Sequence, residues 1–105
     1  MLEDLLEHAK DILGYQRPVK VRIRPLKMSI ARVSFKYGTI TLDPAVLNLE
    51  EEEMFYILIH ELAHLKAETS YHSSSFWREV EKVFPGERAK EIEDRIMTKL
   101  QRNMV

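Results

Sequence analysis

From Met54 to Leu65 almost every residue is apolar, and the interruptions are His60, Glu61 and His64. The segment opened by Glu50 and running to about Lys66 puts Phe55, Leu58, Leu62 and Leu65 on one flank and Ile59 and Ala63 on another. The spacing therefore predicts a helix that is apolar on most sides. Such a helix is stable only where other elements cover it, so it sets the centre of whatever fold the chain adopts. Histidines four apart lie one above the other on a single helix face. Here they share the remaining sector with Ile57 and Glu53, and Glu61 projects about 100° further round at 3.6 residues per turn. Two imidazoles and a carboxylate buried at that place are costly unless they find partners. The carboxylates Glu50 to Glu53 just ahead read as a solvated helix start favoured by the helix dipole.

The remaining segments are short enough to wrap around one such helix. Leu2, Leu5, Leu6, Ala9, Ile12 and Leu13 follow the 3.6 period and predict an amphipathic helix closed by Gly14, with His8 on its solvated flank. Val19, Val21 and Ile23 alternate with Lys20, Arg22 and Arg24 between two prolines, the pattern of a strand with one wet face. Ala31, Val33, Phe35 and Tyr37 alternate in the same way. Gly38 then breaks the run ahead of Thr39-Ile40-Thr41-Leu42, which predicts a hairpin. Asp43-Pro44 is a helix cap followed by proline at the first helical position, opening a short turn through Asn48. Beyond a loop of Thr, Ser and Tyr, a helix is expected from Ser73 to Phe84, with Phe76 and Trp77 as core anchors and Pro85-Gly86 as its stop. A last, highly charged helix follows from about Glu87 to Arg102. This order reads as α+β: one domain over residues 1–105, with an N-terminal helix, a small and mostly antiparallel sheet, a buried central helix and two C-terminal helices.

Composition removes several classes of function. With 16 basic and 17 acidic residues the net charge is −1, so no basic field exists to bind nucleic acid. No apolar run approaches the roughly 20 residues of a membrane span. The opening Met1-Leu2-Glu3-Asp4-Leu5-Leu6 is acidic and amphipathic, unlike a signal peptide. A soluble cytoplasmic protein with no membrane insertion and no nucleic-acid partner is expected. Cysteine is absent, which excludes disulfides, thiolate metal sites and cysteine nucleophiles. Many Glu, Lys and Arg beside only two Asn and two Gln lean toward a thermophilic source.

Histidines at this spacing can both offer a ring nitrogen to one Zn²⁺ at about 2.0–2.1 Å. The Glu directly after the first His stands beside such an ion without binding it. From there it can take a proton from a metal-activated water and hand it to a leaving amine. The pattern thus points to a zinc-dependent endopeptidase acting on peptides or unfolded protein. In it His60 and His64 are metal ligands, and Glu61 is general base and then general acid. A catalytic zinc needs a third protein ligand and one open position. Glu68 continues the four-residue spacing, but three ligands at i, i+4 and i+8 span about 12 Å at 1.5 Å per residue, so it serves only if the helix breaks. Glu79 or Glu81 would bring a carboxylate from the following helix. His72, four residues before Phe76, leans toward the same inner face and is favoured. Metzincin spacing fails, because Ala67 and Ser70 stand where its glycine and third histidine belong.

The block Ile59-His60-Glu61-Leu62-Ala63-His64-Leu65, followed by His72-Ser73-Ser74-Ser75-Phe76-Trp77, resembles the minigluzincins. These are short zincins similar to the catalytic domains of integral-membrane metallopeptidases. The resemblance spans roughly Val33 to Phe84. It implies a zincin-like domain, and it implies histidine as third ligand at the position of His72. It also implies that the strand Thr39, Ile40, Thr41 and Leu42 forms the rim of the substrate cleft, where an extended peptide would pair with an edge strand. Family members can be latent, with the C-terminal segment obstructing the active site. Tyr71 is near enough in sequence to be weighed as an oxyanion donor, although aromatic core packing is the plainer reading.

The final helix carries only the narrow stripe Ala89, Ile92, Ile96 and Leu100. Segment 86–105 is therefore expected to lie across the cleft, or to swap with a second copy in a homo-oligomer, and so to give a zymogen. Two readings compete with the enzyme: a zinc-stabilised peptide- or protein-binding module in which Glu61 does no chemistry, and an accessory domain without metal.

Overall fold

A computed structural model describes residues 1–104; Val105, the last residue of the segment 86–105, lies outside the described residues. The elements are α1 (Leu2–Leu13), β1 (Lys20–Ile23), β2 (Ala31–Ser34), β3 (Thr39–Leu42), a 3₁₀ turn (Pro44–Asn48), α2 (Glu51–Ala67), α3 (Ser74–Val80) and α4 (Gly86–Leu100). The α+β order expected from the periodicities is present. No described helix is long and apolar enough to cross a membrane.

Helix α2 is the centre. Every residue from Tyr56 to Leu65 is buried, including His60, Glu61 and His64. Its start is a capping box: Glu50 accepts from the Glu53 backbone, and the Glu50 N–H donates to Glu53 Oε1 at 3.0 Å. Its end is set by Glu68, which takes the left-handed conformation at φ 53° and so turns the chain out of the helix. One side is covered by α1 through Leu6, Ala9 and Leu13, and Lys66 Nζ donates to the Leu13 carbonyl at 2.5 Å. The sheet covers another side with Ala31, Ile40 and Leu42, and α3 and α4 close the rest with Phe76, Val80, Ile92 and Ile96.

The sheet differs from expectation in one respect that matters for function. β2 and β3 form the hairpin, with Ala31 opposite Leu42 and Val33 opposite Ile40. Its turn depends on Gly38 at φ 61°, where a Cβ would also stand 3.0 Å from the Pro18 carbonyl. β1, however, joins β3 in parallel on the other side, so the order is β1-β3-β2. Thr39 to Leu42 is therefore the central strand and not an edge. Its main-chain groups face strands on both sides, and the edge that packs on α2 is β2.

Two further readings are corrected by packing. Glu53 is not a solvated residue of the helix start but is fully buried. Burial alone would raise its carboxyl. The Lys99 ammonium, 2.8 Å from both oxygens, together with the Glu50 N–H, holds it below the ordinary range. The helix expected to run on to Phe84 is only seven residues long, and a turn at 81–83 leads into α4.

Helix α4 is fastened to α2 in two ways of unequal weight. Ile92 and Ile96 are fully buried, each worth about 1.5–3 kcal/mol of apolar transfer. The surface pairs Arg88–Glu52 (2.6 Å) and Arg95–Glu52 (2.8 Å) are screened by solvent, add little stability and chiefly fix register. The stripe that looked narrow in the sequence thus belongs to the core, and what remains beyond it is the short tail after Leu100. That tail is tied down at Arg102, which donates to the Leu26 carbonyl at 2.6 Å and pairs with Asp43 at 2.9 Å, and at Asn103, whose carbonyl accepts from the Ile30 N–H at 3.2 Å.

Asp43 is consequently a junction. It caps the 3₁₀ turn by accepting from the Ala45 N–H at 2.9 Å, accepts from the Leu26 N–H at 2.8 Å, and faces Arg102. Arg102 first, then those two N–H groups, hold its carboxyl at about 2, below the usual 3.8. Its contribution to stability is thus complete above about pH 4 and is lost as pH falls through 2. Asp43→Ala is expected to cost about 1–2 kcal/mol near neutrality and to flatten that acid limb. Urea unfolding across the acid range reads this directly, and parallel curves for the two proteins would contradict it.

Candidate active site

His60 and His64 point from α2 toward the start of α3. Ser73 caps α3 by accepting from the Phe76 N–H at 3.3 Å, and His72 is the residue just before that cap. Because α3 packs on α2, His72 is carried over the pair. The ring centroids form a nearly equilateral triangle: 5.2 Å for His60–His64, 5.1 Å for His60–His72 and 5.1 Å for His64–His72. One ring nitrogen from each lies within 4.8 Å of the others; His60 and His64 are buried and His72 is exposed. Phe76 forms the shelf beneath, 4.9, 4.4 and 4.9 Å from the His60, His64 and His72 rings.

The Nδ1 of each α2 histidine faces an oxygen. His64 Nδ1 is 2.9 Å from the Thr69 carbonyl, so it donates there and leaves Nε2 as the lone-pair nitrogen. His60 Nε2 is 3.8 Å from Glu61 Oε2, and its Nδ1 is 3.8 Å from Glu93 Oε2. That same Glu93 oxygen accepts from the Tyr56 hydroxyl. Burial, and then the Glu93 carboxylate, push the Tyr56 phenol far up, so it remains a donor.

Glu61 is completely buried, and neither carboxylate oxygen has a hydrogen-bond partner among the described residues. Desolvation pushes its carboxyl well above the ordinary carboxylate range. A structural carboxylate in such a place would be selected against by its desolvation cost. One required to accept and return a proton benefits from it. The three imidazoles suit a first-row divalent ion. Tetrahedral ligands 2.0–2.1 Å from an ion stand about 3.4 Å apart, so ring nitrogens already within 4.8 Å need to close by at most about 1.4 Å.

The alternatives for the third ligand lie elsewhere. Glu68 is the exposed left-handed cap, and Glu81 is exposed. Glu79 faces Lys66 at 3.0 Å and Lys82 at 2.6 Å; these two lysines outweigh its burial and hold its carboxyl low. Tyr71 is exposed and not packed in the core, whereas Phe76 is buried and Trp77 half-buried beside His72. Thr39 to Leu42 sits in the middle of the sheet, as described above. His8 is exposed and stacks on Phe55 at 5.3 Å.

Three participants were not recognised in the sequence. Tyr56 stands one turn before His60 and could have been noticed there. The Thr69 carbonyl belongs to the main chain and carries no residue-type signal. Glu93 comes from a helix remote in sequence, among many charged residues.

Residues 1–97 match the family described as YgjP-like, metallopeptidase domain. The chain is 99% identical to the protein in the crystal structure of the metallopeptidase zymogen of Pyrococcus abyssi abylysin, over all of both chains, with a TM-score of 0.99. The metallopeptidase zymogen of Methanocaldococcus jannaschii jannalysin is 33% identical over 95% of this chain and 97% of its own, with a TM-score of 0.86. An uncharacterized Aquifex aeolicus protein is 36% identical over 75% of this chain and 72% of its own length. A minigluzincin resemblance in the sequence, a buried histidine pair with its glutamate, and this agreement along the whole chain lead to one conclusion: the protein belongs to the YgjP-like metallopeptidase family.

Proposed function

We propose that the chain is a zinc-dependent endopeptidase kept latent by its C-terminal segment, with His60, His64 and His72 holding Zn²⁺ and Glu61 acting as general base and then general acid. The observation that carries this is the convergence of three imidazoles beside one fully buried carboxylate. Zinc bound there supplies Lewis acidity, which makes water a nucleophile near neutral pH and polarises the scissile carbonyl. Glu61 takes the proton of the attacking water and passes it to the leaving nitrogen. Its raised carboxyl suits both halves of that task. The Thr69 carbonyl keeps His64 in the tautomer that presents Nε2. Phe76 holds the three rings against an apolar shelf.

For the substrate, the edge strand β2 replaces β3. An extended peptide can add main-chain hydrogen bonds only along an open edge, and β2 is the edge next to α2. The Ile30 N–H donates to the Asn103 carbonyl, so the chain's own tail already reaches the residue just before β2. Since abylysin and jannalysin are described as metallopeptidase zymogens, the tail anchored by Arg102 is the natural element of latency here.

Two measurements test this reading. Glu61→Gln is expected to lower kcat/KM for peptide hydrolysis by about 10²–10⁴ while zinc per chain, by elemental analysis, stays at the wild-type level. An unchanged rate would remove Glu61 from the mechanism. A wild-type chain that holds zinc but cleaves no peptide even with its tail released would leave a binding module. For release, deleting everything after about Lys90 is unsuitable, because Ile92 and Ile96 leave the core with it. Arg102→Ala keeps α4 and removes the contacts to Leu26 and Asp43. Peptide hydrolysis should rise several-fold over wild type; equal rates would count against latency through this segment.

A further inference from the structure

We propose that Glu93, held by Tyr56, is the positioning residue for His60, so that the C-terminal helix α4 completes the metal site. The inference rests on the metal-site reading above and concerns how the site is held.

His60 and His64 are supported differently. Beside His64 the helix is ending, and the Thr69 carbonyl is available to its Nδ1 at 2.9 Å. His60 lies one turn deeper, inside the helix, where the neighbouring carbonyls belong to the helix ladder. A carboxylate from another element also faces its ring. Its two nitrogens face opposite ways: Nε2 toward Glu61 and Nδ1 toward the Glu93 carboxylate, each at 3.8 Å. A carboxylate accepting the Nδ1–H of a ligating imidazole fixes its tautomer, aims the ring and makes the ligating nitrogen more basic.

Glu93 is itself fixed. Tyr56, fully buried one turn before His60, donates its hydroxyl to the Glu93 oxygen that faces Nδ1. Ile92 beside it is fully buried, as is Ile96 one turn on. The contact at 3.8 Å shortens to a charge-assisted hydrogen bond of about 2.8 Å with a movement of about 1 Å. The Glu93 carboxylate can pivot by that distance on its Tyr56 bond, since its side chain is 26% exposed and sits at the rim of the buried site.

The test uses the full chain, stripped of metal and titrated with Zn²⁺ or Co²⁺ in competition with a chromophoric chelator. Glu93→Ala should weaken binding about 10–100-fold and shift the Co²⁺ ligand-field bands. Glu93→Gln, which keeps the size and one acceptor oxygen, should lose less, and it carries the test if the alanine variant does not fold. Arg88→Ala removes an α4 ion pair with Glu52 without touching Glu93, and should bind as wild type does. The proposal is overturned if both Glu93 variants bind within twofold of wild type while His60→Ala loses the ion. It is also overturned if Arg88→Ala weakens binding as much as Glu93→Ala, since the effect would then be general loosening of α4. A wild-type chain that takes up no ion, or a His60→Ala chain that binds undiminished, overturns the metal-site reading and this proposal together.

Discussion

Helix α2 is buried all the way round while carrying His60, Glu61 and His64, and the other elements are placed to make that tolerable. An unpartnered carboxylate in an apolar interior costs several kcal/mol, and each large apolar side chain packed around it returns about 1.5–3 kcal/mol. Tyr56, Ile57, Leu58, Ile59 and Leu62 are all fully buried, so the helix stays in place even though Glu61 opposes it. The same burial raises the Glu61 carboxyl well above its ordinary range. In the proposed mechanism stability and chemistry therefore pull on Glu61 in opposite directions, and the surrounding core decides the outcome.

Each imidazole is oriented from a different source. His64 uses the backbone just past the end of its own helix, and His72 is set by the cap of α3. His60 faces a carboxylate delivered by α4. Helix α4 thereby links three regions: the interior through Ile92 and Ile96, the histidine cluster through Glu93, and the segment ahead of β2 through Arg102 and Asn103. The tail is therefore separable where the helix is not, because the helix carries core.

The elements were largely legible because their signals are local. Alternation marked β1 and the hairpin, Gly38 its turn, and Asp43-Pro44 the cap of the 3₁₀ turn. Burial of α2 followed from its lack of a polar face. Glu53 was misread because a run of four glutamates looks solvated. Its burial depends on Lys99, which no local pattern could pair with it. The edge strand was misplaced for a related reason. Alternation shows that a segment is a strand but not which strands flank it, and the parallel β1–β3 pairing is a choice of tertiary structure.

The sequence by itself determined the helix with two histidines and a glutamate on the spacing of one metal site, the apolar shell that buries it, and the family to which the chain belongs. Those properties depend on residue type and on periods of two or 3.6 along a single segment. Only the tertiary structure decided which carboxylate faces His60, that Glu79 is spent on lysines while His72 meets the pair, that β2 and not β3 is the open edge beside α2, and that α4 is core while its tail is an anchored strap. Each of those turns on a contact between residues far apart in the chain. Such contacts are chosen by packing and by the pairing of buried charge, neither of which leaves a signature in the spacing of a single segment.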